Sequence, residues 1–492
     1  MTFVEAAKKW LRRSGISLVA VCLASCHVGP DYVRPEIEVG TGFAQQEKGW
    51  VRVSPQEIPE HGQWWTVYQD PELDALMARL NENNLSIEQA LARYRQAVAL
   101  LRSTGARLYP GLDLSAQWQR ADVPVTSRAG SVLGGFGPNS QHNVGLGLSW
   151  EVDLWGGIAS DVERSKAQMQ ASAADLAAAK LSAQATLASS YFQLRGLDSQ
   201  IDLLQQTVAA YQKSLDLTRN LMKAGIADAS EVAVADSQLQ TARAQWLEAR
   251  RERAVMEHAI AVLTGSAPSL LQVPESHGWS RDAVAVPTGV PSTLLLRRPD
   301  IAAAERRVAA ANAQVGVATA AWFPSLSISA SGGYQSGQFS QWFTAPAQFW
   351  ALGPTLAATL FDAGRRQAGI DSAKAQLEEQ AAVYRNVVLK ALQEVEDSLV
   401  QLKLLDEQVK VQEHAVRAAQ ESVRIKRNQY EKGLADYVSV AVLQAALLNA
   451  QRSLIALQTE QLMASVKLVA ALGGGWSVDK LPDSSNSVGT TG

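Results

Sequence analysis

The chain nearly repeats itself. Residues 84–116 ("NLSIEQALARYRQAVALLRSTGARLYPGLDLSA") parallel residues 298–330 ("RPDIAAAERRVAAANAQVGVATAAWFPSLSISA"). Residues 219–242 ("RNLMKAGIADASEVAVADSQLQTA") parallel residues 427–450 ("RNQYEKGLADYVSVAVLQAALLNA"), with Arg, Asn, Gly, Ala, Asp, Val, Ala, Val, Leu and Ala recurring in register. Solenoid units run to about 50 residues, and this offset is far longer. It marks a duplicated half-protein, so whatever the fold is, it must be built twice. A Pro-rich join, residues 265–300, separates the halves.

Each half has the same order: a helix of about 25 residues ending at an aromatic-Pro step (Tyr109-Pro110, Phe323-Pro324), two strand-like runs, a very long helix, a Gly-Asp turn and a second long helix. From Ile370 to Lys432 there is neither Gly nor Pro, and from Ile158 to Ala224 only Gly196. At about 1.5 Å per residue, each such helix reaches roughly 90 to 100 Å. Their partners, residues 226–263 and 434–472, are equally free of breakers, and the long helices are dense in alanine.

The strand runs alternate with period two. Leu112, Leu114, Ala116 and Trp118 oppose Asp113, Ser115, Gln117 and Gln119; Val144, Leu146, Leu148, Trp150, Val152 and Leu154 oppose Asn143, Gly145, Gly147, Ser149, Glu151 and Asp153. Leu326, Ile328 and Ala330 oppose Ser325, Ser327, Ser329 and Ser331, and a weaker run, Trp350, Leu352, Leu356, Ala358 and Leu360, is interrupted by Pro354. Runs of about 10 residues suit a tilted strand crossing a bilayer. Aromatics crowd their ends, as in the girdles of a membrane barrel: Tyr109, Trp118, Trp150, Trp155, Trp322, Phe323, Tyr334, Phe349, Trp350 and Phe361. Four strands cannot close a barrel, and an open edge in lipid leaves backbone groups unsatisfied. Copies must therefore share one barrel: two copies give eight strands, three give twelve.

The N-terminus carries Lys8, Lys9, Arg12 and Arg13, a short apolar run from Ile16 to Leu23, then "LASC" ending at Cys26. This is a secretory signal layout, and "LASC" resembles the lipobox of bacterial lipoproteins, in which the signal is cut before the cysteine. The expected mature N-terminus is Cys26 carrying S-diacylglycerol and an N-acyl chain; several chains anchor stably where one does not. His27 is not Asp, the residue that favours inner-membrane retention in this lipoprotein class. Cys22 leaves with the signal, so a disulfide framework is excluded. Beyond the signal no uninterrupted apolar run of about 20 residues occurs, so any further membrane crossing is expected to be by strands. With 47% hydrophobic residues and net charge −3, the chain is neither disordered in type nor a nucleic-acid binder.

The turns between long helices are specific. Gly225 and Gly433 suit the left-handed position after a helix; Asp228 and Asp436 suit the N-cap of the next, with Glu231 completing a capping-box-like pair with Asp228. Chemistry of an enzyme is missing. The six histidines have no His-x-x-x-His spacing, and there is no Gly-x-Ser-x-Gly, P-loop or Cys cluster, so no catalytic residue, metal site or cofactor is expected.

Several stretches carry a resemblance: "CHVGPDYVRPE", "WWTVYQDPELDALM", "LYPGLDLSAQW", "GLSWEVDLWGG", "LLLRRPDIAAAERRVAAANAQVGVATAAWFPSLSIS", "LFDAGRR" and the two Gly-x-x-Asp tips. With them the chain resembles the outer membrane factors, the TolC-like channels of Gram-negative tripartite efflux and secretion systems, and most of all their lipid-anchored NodT-type branch. The resemblance implies an α+β membrane protein: a homotrimer with a 12-stranded β-barrel in the outer membrane, four strands per chain, continued by a long α-helical periplasmic barrel. It implies a passive exit duct for small molecules, working with a periplasmic adaptor (membrane fusion) protein and an inner-membrane pump of RND type. The alternatives are a type I protein-secretion exit and a non-transporting structural trimeric lipoprotein.

The resemblance also places adaptor docking at the tips, on Gly225, Ile226, Asp228, Gly433, Leu434 and Asp436. It places a periplasmic constriction just after the second tip. There the family often has an acidic residue facing the lumen, and this chain has Val442, one turn from Val438, which implies an apolar pinch. The expected division is residues 1–25 signal peptide, 26–63 lipid-anchored linker, 64–264 first repeat, 265–297 inter-repeat linker, 298–475 second repeat and 476–492 flexible tail.

Overall fold

The duplication is visible as matched lengths in the computed structural model, which describes residues 28–37, 63–121, 139–277 and 296–482. The first repeat consists of α1 (Pro71–Asn83), α2 (Leu85–Ala106), β1 (Gly111–Ala121), β2 (Asn139–Val152), α3 (Gly157–Lys223) and α4 (Ala229–Leu263). The second consists of α5 (Pro299–Ala320), β3 (Ser325–Ser336), β4 (Gln348–Ala357), α6 (Arg365–Glu431) and α7 (Tyr437–Ala471). Helices α2 and α5 have 22 residues each, α3 and α6 67 each, and α4 and α7 35 each. A 67-residue helix is about 100 Å long.

One element goes beyond the sequence reading. A 3-10 turn, Trp64–Tyr68, and helix α1 precede α2. Asp70 caps α1 through the Glu72 and Leu73 N–H groups, and Pro71 takes the first helical position, where its missing N–H costs nothing. Trp64, Trp65, Leu73, Leu76, Met77 and Leu80 are all buried and join the main hydrophobic core with Leu187, Tyr191 and Phe192 of α3 and Val466 and Leu468 of α7.

The four strands form one antiparallel sheet in the order β1-β2-β3-β4. Its register joins Leu112, Leu148, Ala330 and Leu352 in one row and Leu114, Leu146, Gly332 and Trp350 in the next. Directly paired residues share a face, so the apolar positions of all four strands form one continuous surface. Asp113, Gly147, Ser331 and Ala351 form a row on the opposite face, as do Gln117, Asn143 and Gln335. Gly145 on that face admits a close neighbour: a Cβ there would sit 3.4 Å from the Phe349 ring and 3.2 Å from the Gly332 carbonyl.

Two expectations need correction. Strand β4 ends at Ala357, so Ala358 and Leu360 lie outside the sheet; Pro354 is accommodated within it, paired with Ile328. Residues 476–482 of the expected flexible tail are packed: Trp476, Val478 and Leu481 lie against Ala174, Ala302 and Ala303, and the Gln170 amide donates to the Pro482 carbonyl. Helix α7 is long and apolar enough by composition to span a bilayer, with no contradiction of the expected crossing by strands. It instead packs on α6 and α3, because its apolar surface wraps round the helix and serves several neighbours.

Among the helices, α4 packs on α3, α3 on α7 and α7 on α6, while α5 lies between α3 and α6 at the sheet end. The outer members α4 and α6 expose apolar residues at heptad-like spacing: Leu247, Val255 and Val262 on one, Leu404, Val411 and Ile425 on the other. Both layers of the protomer, sheet and helix, thus end in unpartnered edges.

The α3–α7 contact is close enough to need glycine. A Cβ at Gly196 would overlap the Thr459 side chain, 2.8 Å from its Cγ2. Gly196→Ala is expected to lower stability by about 1 to 3 kcal/mol through overpacking. Thr459→Ala in the same chain is expected to restore most of it. Denaturant melts of the two variants and the parent check both.

Candidate functional site

Two helical hairpin tips stand at the far end of the long helices, about 100 Å from the sheet by helix rise. Both are made the same way. Gly225 has φ +75° and Gly433 φ +71°. The Ile226 N–H reaches back to the Leu221 carbonyl at 2.9 Å and the Gly225 N–H to Met222 at 2.9 Å; Leu434 to Gln429 at 2.8 Å and Gly433 to Tyr430 at 2.9 Å repeat the pattern. This is the paired Schellman closure that satisfies the last carbonyls of a helix, and it requires a left-handed residue. The Asp228 carboxylate then accepts from the Ser230 and Glu231 N–H groups, and the Asp436 carboxylate from the Ser439 N–H.

The tips leave Ile226, Leu434, Val438 and Val442 exposed. An apolar side chain on a turn this tight has no neighbour within its own hairpin to cover it. The tip residues of the two repeats thus come together as one end of the molecule. Cys26 lies outside the described residues. The chain that follows it does not: the Pro30 carbonyl accepts from the Asn312 amide at 2.8 Å, the Tyr32 hydroxyl donates to Glu305, and the Arg34 guanidinium donates to the Tyr384 hydroxyl at 3.1 Å.

One expected detail does not form. Glu231 makes no capping box with Asp228. Its carboxylate faces the second hairpin, where the Tyr430 hydroxyl lies at 3.5 Å and the Tyr437 N–H donates to it. Helix α4 turns this residue toward the two tyrosines, so a reach back to its own cap is lost. Around it the hairpins are tied by groups that repeat matching passes over. Tyr430 meets Tyr437 edge-to-face at 5.5 Å, the Tyr430 hydroxyl meets Thr218 at 3.1 Å, and Tyr437 donates to Gln238, whose amide reaches the Ala441 carbonyl. Their signal was a mismatch between the repeats: tyrosines stand where the first half has Met222 and Ala229.

Charge at the tips is graded. Hydrogen bonds from Ser230 and the Glu231 N–H hold the Asp228 carboxyl below the usual carboxylate range, and bonds from Ser439 do the same for Asp436. Burial pushes Glu231 up, with the nearby charges of Asp228 and Asp436 adding to it. Burial also pushes the Tyr437 phenol up to about 12. Nothing here gathers a nucleophile and a base, and among the described residues no group of three His, Cys, Asp or Glu side chains could hold a metal. The arrangement offers exposed apolar contacts on two rigid turns.

A family model described as outer membrane efflux protein matches residues 76–266 and 290–474. The toluene efflux pump outer membrane protein TtgF of Pseudomonas putida is 31% identical over 468 residues, 93% of this chain and 96% of that protein. The cation efflux system protein CusC of Escherichia coli is 27% identical over 459 residues, 93% of this chain and 98% of that protein. Among solved structures, the outer-membrane channel OprN superposes with a TM-score of 0.81 at 30% identity, covering 92% of this chain and all of that one.

The signs of the shifts at the tips give a testable pH dependence. The folded tip binds a proton at Glu231 more tightly than the unfolded chain does, so Glu231 favours the folded tip at low pH, and this contribution is lost as pH rises through its raised pKa. The two caps act oppositely: their stabilisation is lost only as pH falls through their depressed values. In the window through and just above the ordinary carboxylate range, where both caps stay ionised, the titration of Glu231 therefore changes tip stability. Amide exchange of residues 229–232, corrected for the intrinsic rate, is expected to be slowest toward the acid side of that window. Glu231→Gln is expected to flatten the profile, while Asp228→Ala speeds exchange throughout it.

Proposed function

The chain belongs to the outer membrane efflux protein family, and from that premise we propose that its hairpin tips are the docking and gating end of an efflux duct. The protein is an outer membrane channel component of efflux systems and a passive conduit, with no catalysis of its own. Its fold is that of a trimer: twelve strands, four from each chain, close a barrel in the outer membrane, and the long helices continue it through the periplasm. The observation that carries the reading is the sheet itself. It has one continuous apolar face, a polar and glycine-lined opposite face, and two edges that only further copies can pair.

The finer reading is as follows. Channels of this family work with a periplasmic adaptor and an inner-membrane pump, and we assign this one to a pump of RND type. The adaptor seats on Gly225, Ile226, Asp228 and on Gly433, Leu434, Asp436. Exposed apolar residues on two rigid turns support this, since such turns bind without first having to order themselves. Val438 and Val442, exposed one turn apart on α7, form an apolar constriction in the resting trimer. Relatives named for toluene and for cations share one architecture, which fits a common exit with selectivity upstream.

Lipid anchoring at Cys26 belongs to the same proposal. A Cβ at Gly316 would lie 3.2 Å from the Gly29 Cα, and Gly316 is near the sheet end of α5. Three residues of chain reach at most about 11 Å, and the position of Gly29 thus supports an anchor beside the boundary where the strands enter the bilayer. From Gly29 the segment then runs along α5, through Asn312 and Glu305, away from the membrane.

Ile226→Glu and Leu434→Glu are expected to leave trimer amount and melting unchanged while abolishing export and adaptor crosslinking; normal export at normal protein level would move docking elsewhere. Replacing Val438 and Val442 together by Ser is expected to raise single-channel conductance of the purified protein without any adaptor. Conductance equal to the parent places the constriction at other residues. Mass spectrometry of the mature N-terminus is expected to find acylated Cys26, and an unmodified N-terminal peptide would refute the anchor.

A further inference from the structure

The connection between β3 and β4, residues 337–347, is rich in aromatic side chains and contains no charged residue: "GQFSQWFTAPA". It lies at the end of the sheet remote from the helices. In a channel mouth, such a segment has two places to go: inward over the exit, or outward over the barrel wall.

We propose that this loop folds over the outside of the barrel and sets its aromatic rings into the outer-leaflet interface, its backbone staying in the hydrated region, extending the lipid-facing band and leaving the exit uncovered by this segment. The proposal rests on the channel reading, in which the apolar face of the sheet meets lipid. The ring contacts carry it. Phe339 and Trp342 pack on His142, with centroids 5.6 and 5.3 Å away. Phe343 packs on Tyr334 at 5.7 Å, and Trp342 stacks on Phe343 at 4.9 Å. The register puts both anchor residues on the apolar face, Tyr334 paired with Val144, and His142 with Trp118 on one side and Ser336 on the other. The loop's rings therefore lie against the lipid side of the wall. None of these contacts is with the Asp113–Gln117–Asn143 face.

The loop is also suited to an apolar phase. Its one indole N–H is already satisfied, donating to the Tyr334 carbonyl at 3.3 Å, so the ring enters lipid without an unpaired donor. Phe339 and Phe343 remain 71% and 66% exposed in the protomer, and Trp350, on the same face of the adjoining strand, is exposed as well. A layer of loop aromatics beyond His142 places amphipathic rings at the interface, where they partition best.

Site-directed spin labelling in reconstituted vesicles tests this. Full-length variants Phe339→Cys and Phe343→Cys are labelled with a nitroxide and compared with Leu146→Cys, a lipid-facing reference, and Gln117→Cys, a lumen-facing one. The parent serves as the blank for any label at Cys26. Power saturation with oxygen and with a water-soluble nickel chelate reads the environment. The expected oxygen-to-nickel accessibility ratio at Phe339 and Phe343 is several-fold above Gln117 and approaches that of Leu146. Nickel access at the loop like that of Gln117, with Leu146 still in lipid, overturns the loop proposal and leaves the channel reading intact. Low access to both agents means that protein covers the loop, residues 122–138 or a partner, and overturns it too. Nickel access at Leu146 itself overturns the face assignment and the loop proposal together.

Discussion

A backbone N–H or C=O cannot be left unpaired in hydrocarbon, and everything else in this molecule follows from that. Each such group costs several kcal/mol in lipid. The protomer pairs β1 with β2, β2 with β3 and β3 with β4, and leaves the outer edges of β1 and β4 open. In water an open edge is a liability that charge or a bulge can blunt. In a membrane it must be filled, and the partner closest to hand is another copy. The helical layer repeats the logic with weaker forces: α4 and α6 end the row of helices and carry the exposed apolar stripes. One rotation that closes the barrel also brings these two edges toward each other. The protomer is thus a third of a wall, and its apparent defects are the surfaces of assembly.

Helices about 100 Å long need to be held in line, and the protomer does this near the middle with charge. Asp198 of α3 accepts from Arg195 at 2.9 Å and from Arg253 of α4 at 2.6 Å, and all three are buried. Those guanidinium groups also donate to the Pro274 and Val273 carbonyls at 2.7 Å each, so the inter-repeat segment is stitched to the helices it must cross. Buried ions in a set like this, in which the Arg195 Nε still lacks a hydrogen-bond partner among the described residues, add little net stability compared with a well-packed apolar substitute, but removing one member leaves the others uncompensated. The set fixes geometry more than it adds free energy. Arg298 works alike: it is buried at the start of α5, bonds Asp300 and Glu394 at 2.7 Å, and donates to the Ala471 carbonyl at the end of α7. That explains why an Arg-Pro-Asp block stands there: Pro299 begins the helix, Arg298 locks it to α6 and α7, and Asp300 holds the arginine.

Most of this architecture was legible because its signals are local. Period-two alternation in residues 112–119 and 144–152, the absence of Gly and Pro from 370 to 432, and the Gly-x-x-Asp spacing at the tips each express one backbone geometry. What escaped was non-local. Helix α1 is short and its apolar residues are spent on a core with α3 and α7, so no periodicity long enough to stand out marks it. Trp476 and Leu481 read as a tail because their partners, Ala174 and Ala303, are distant in the chain. Glu231 was assigned to the nearest cap by spacing, whereas its neighbours Tyr430 and Tyr437 lie two hundred residues away. Spacing rules see one helix at a time; this site is made where two meet.

The tips show what duplication allows once the copies begin to differ. The turns are nearly interchangeable: the same left-handed glycine, the same backbone closure, an aspartate cap on each. The faces behind them are not. Offset by the repeat, Tyr430 stands where the first half has Met222, Tyr437 where it has Ala229, and Ser439 where it has Glu231. The second hairpin supplies the rings and the hydroxyls, the first supplies Glu231 and Gln238 to receive them and Thr218 beside the Tyr430 hydroxyl. Two identical hairpins could present only like to like, which for Glu231 would set one carboxylate against another. Divergence turned the pair into donor and acceptor, so the hairpins hold each other in a single register while the conserved turns stay free and apolar at the end. The strength of that grip varies with the charge on Glu231: burial and the nearby Asp228 and Asp436 carboxylates outweigh the bonds from Tyr430 and Tyr437, so the contact holds more firmly when Glu231 is protonated. The fixed part of the tip and its adjustable part are therefore separate residues: Gly225 and Gly433 shape it, and the tyrosine–glutamate contact sets how firmly the two halves stay together.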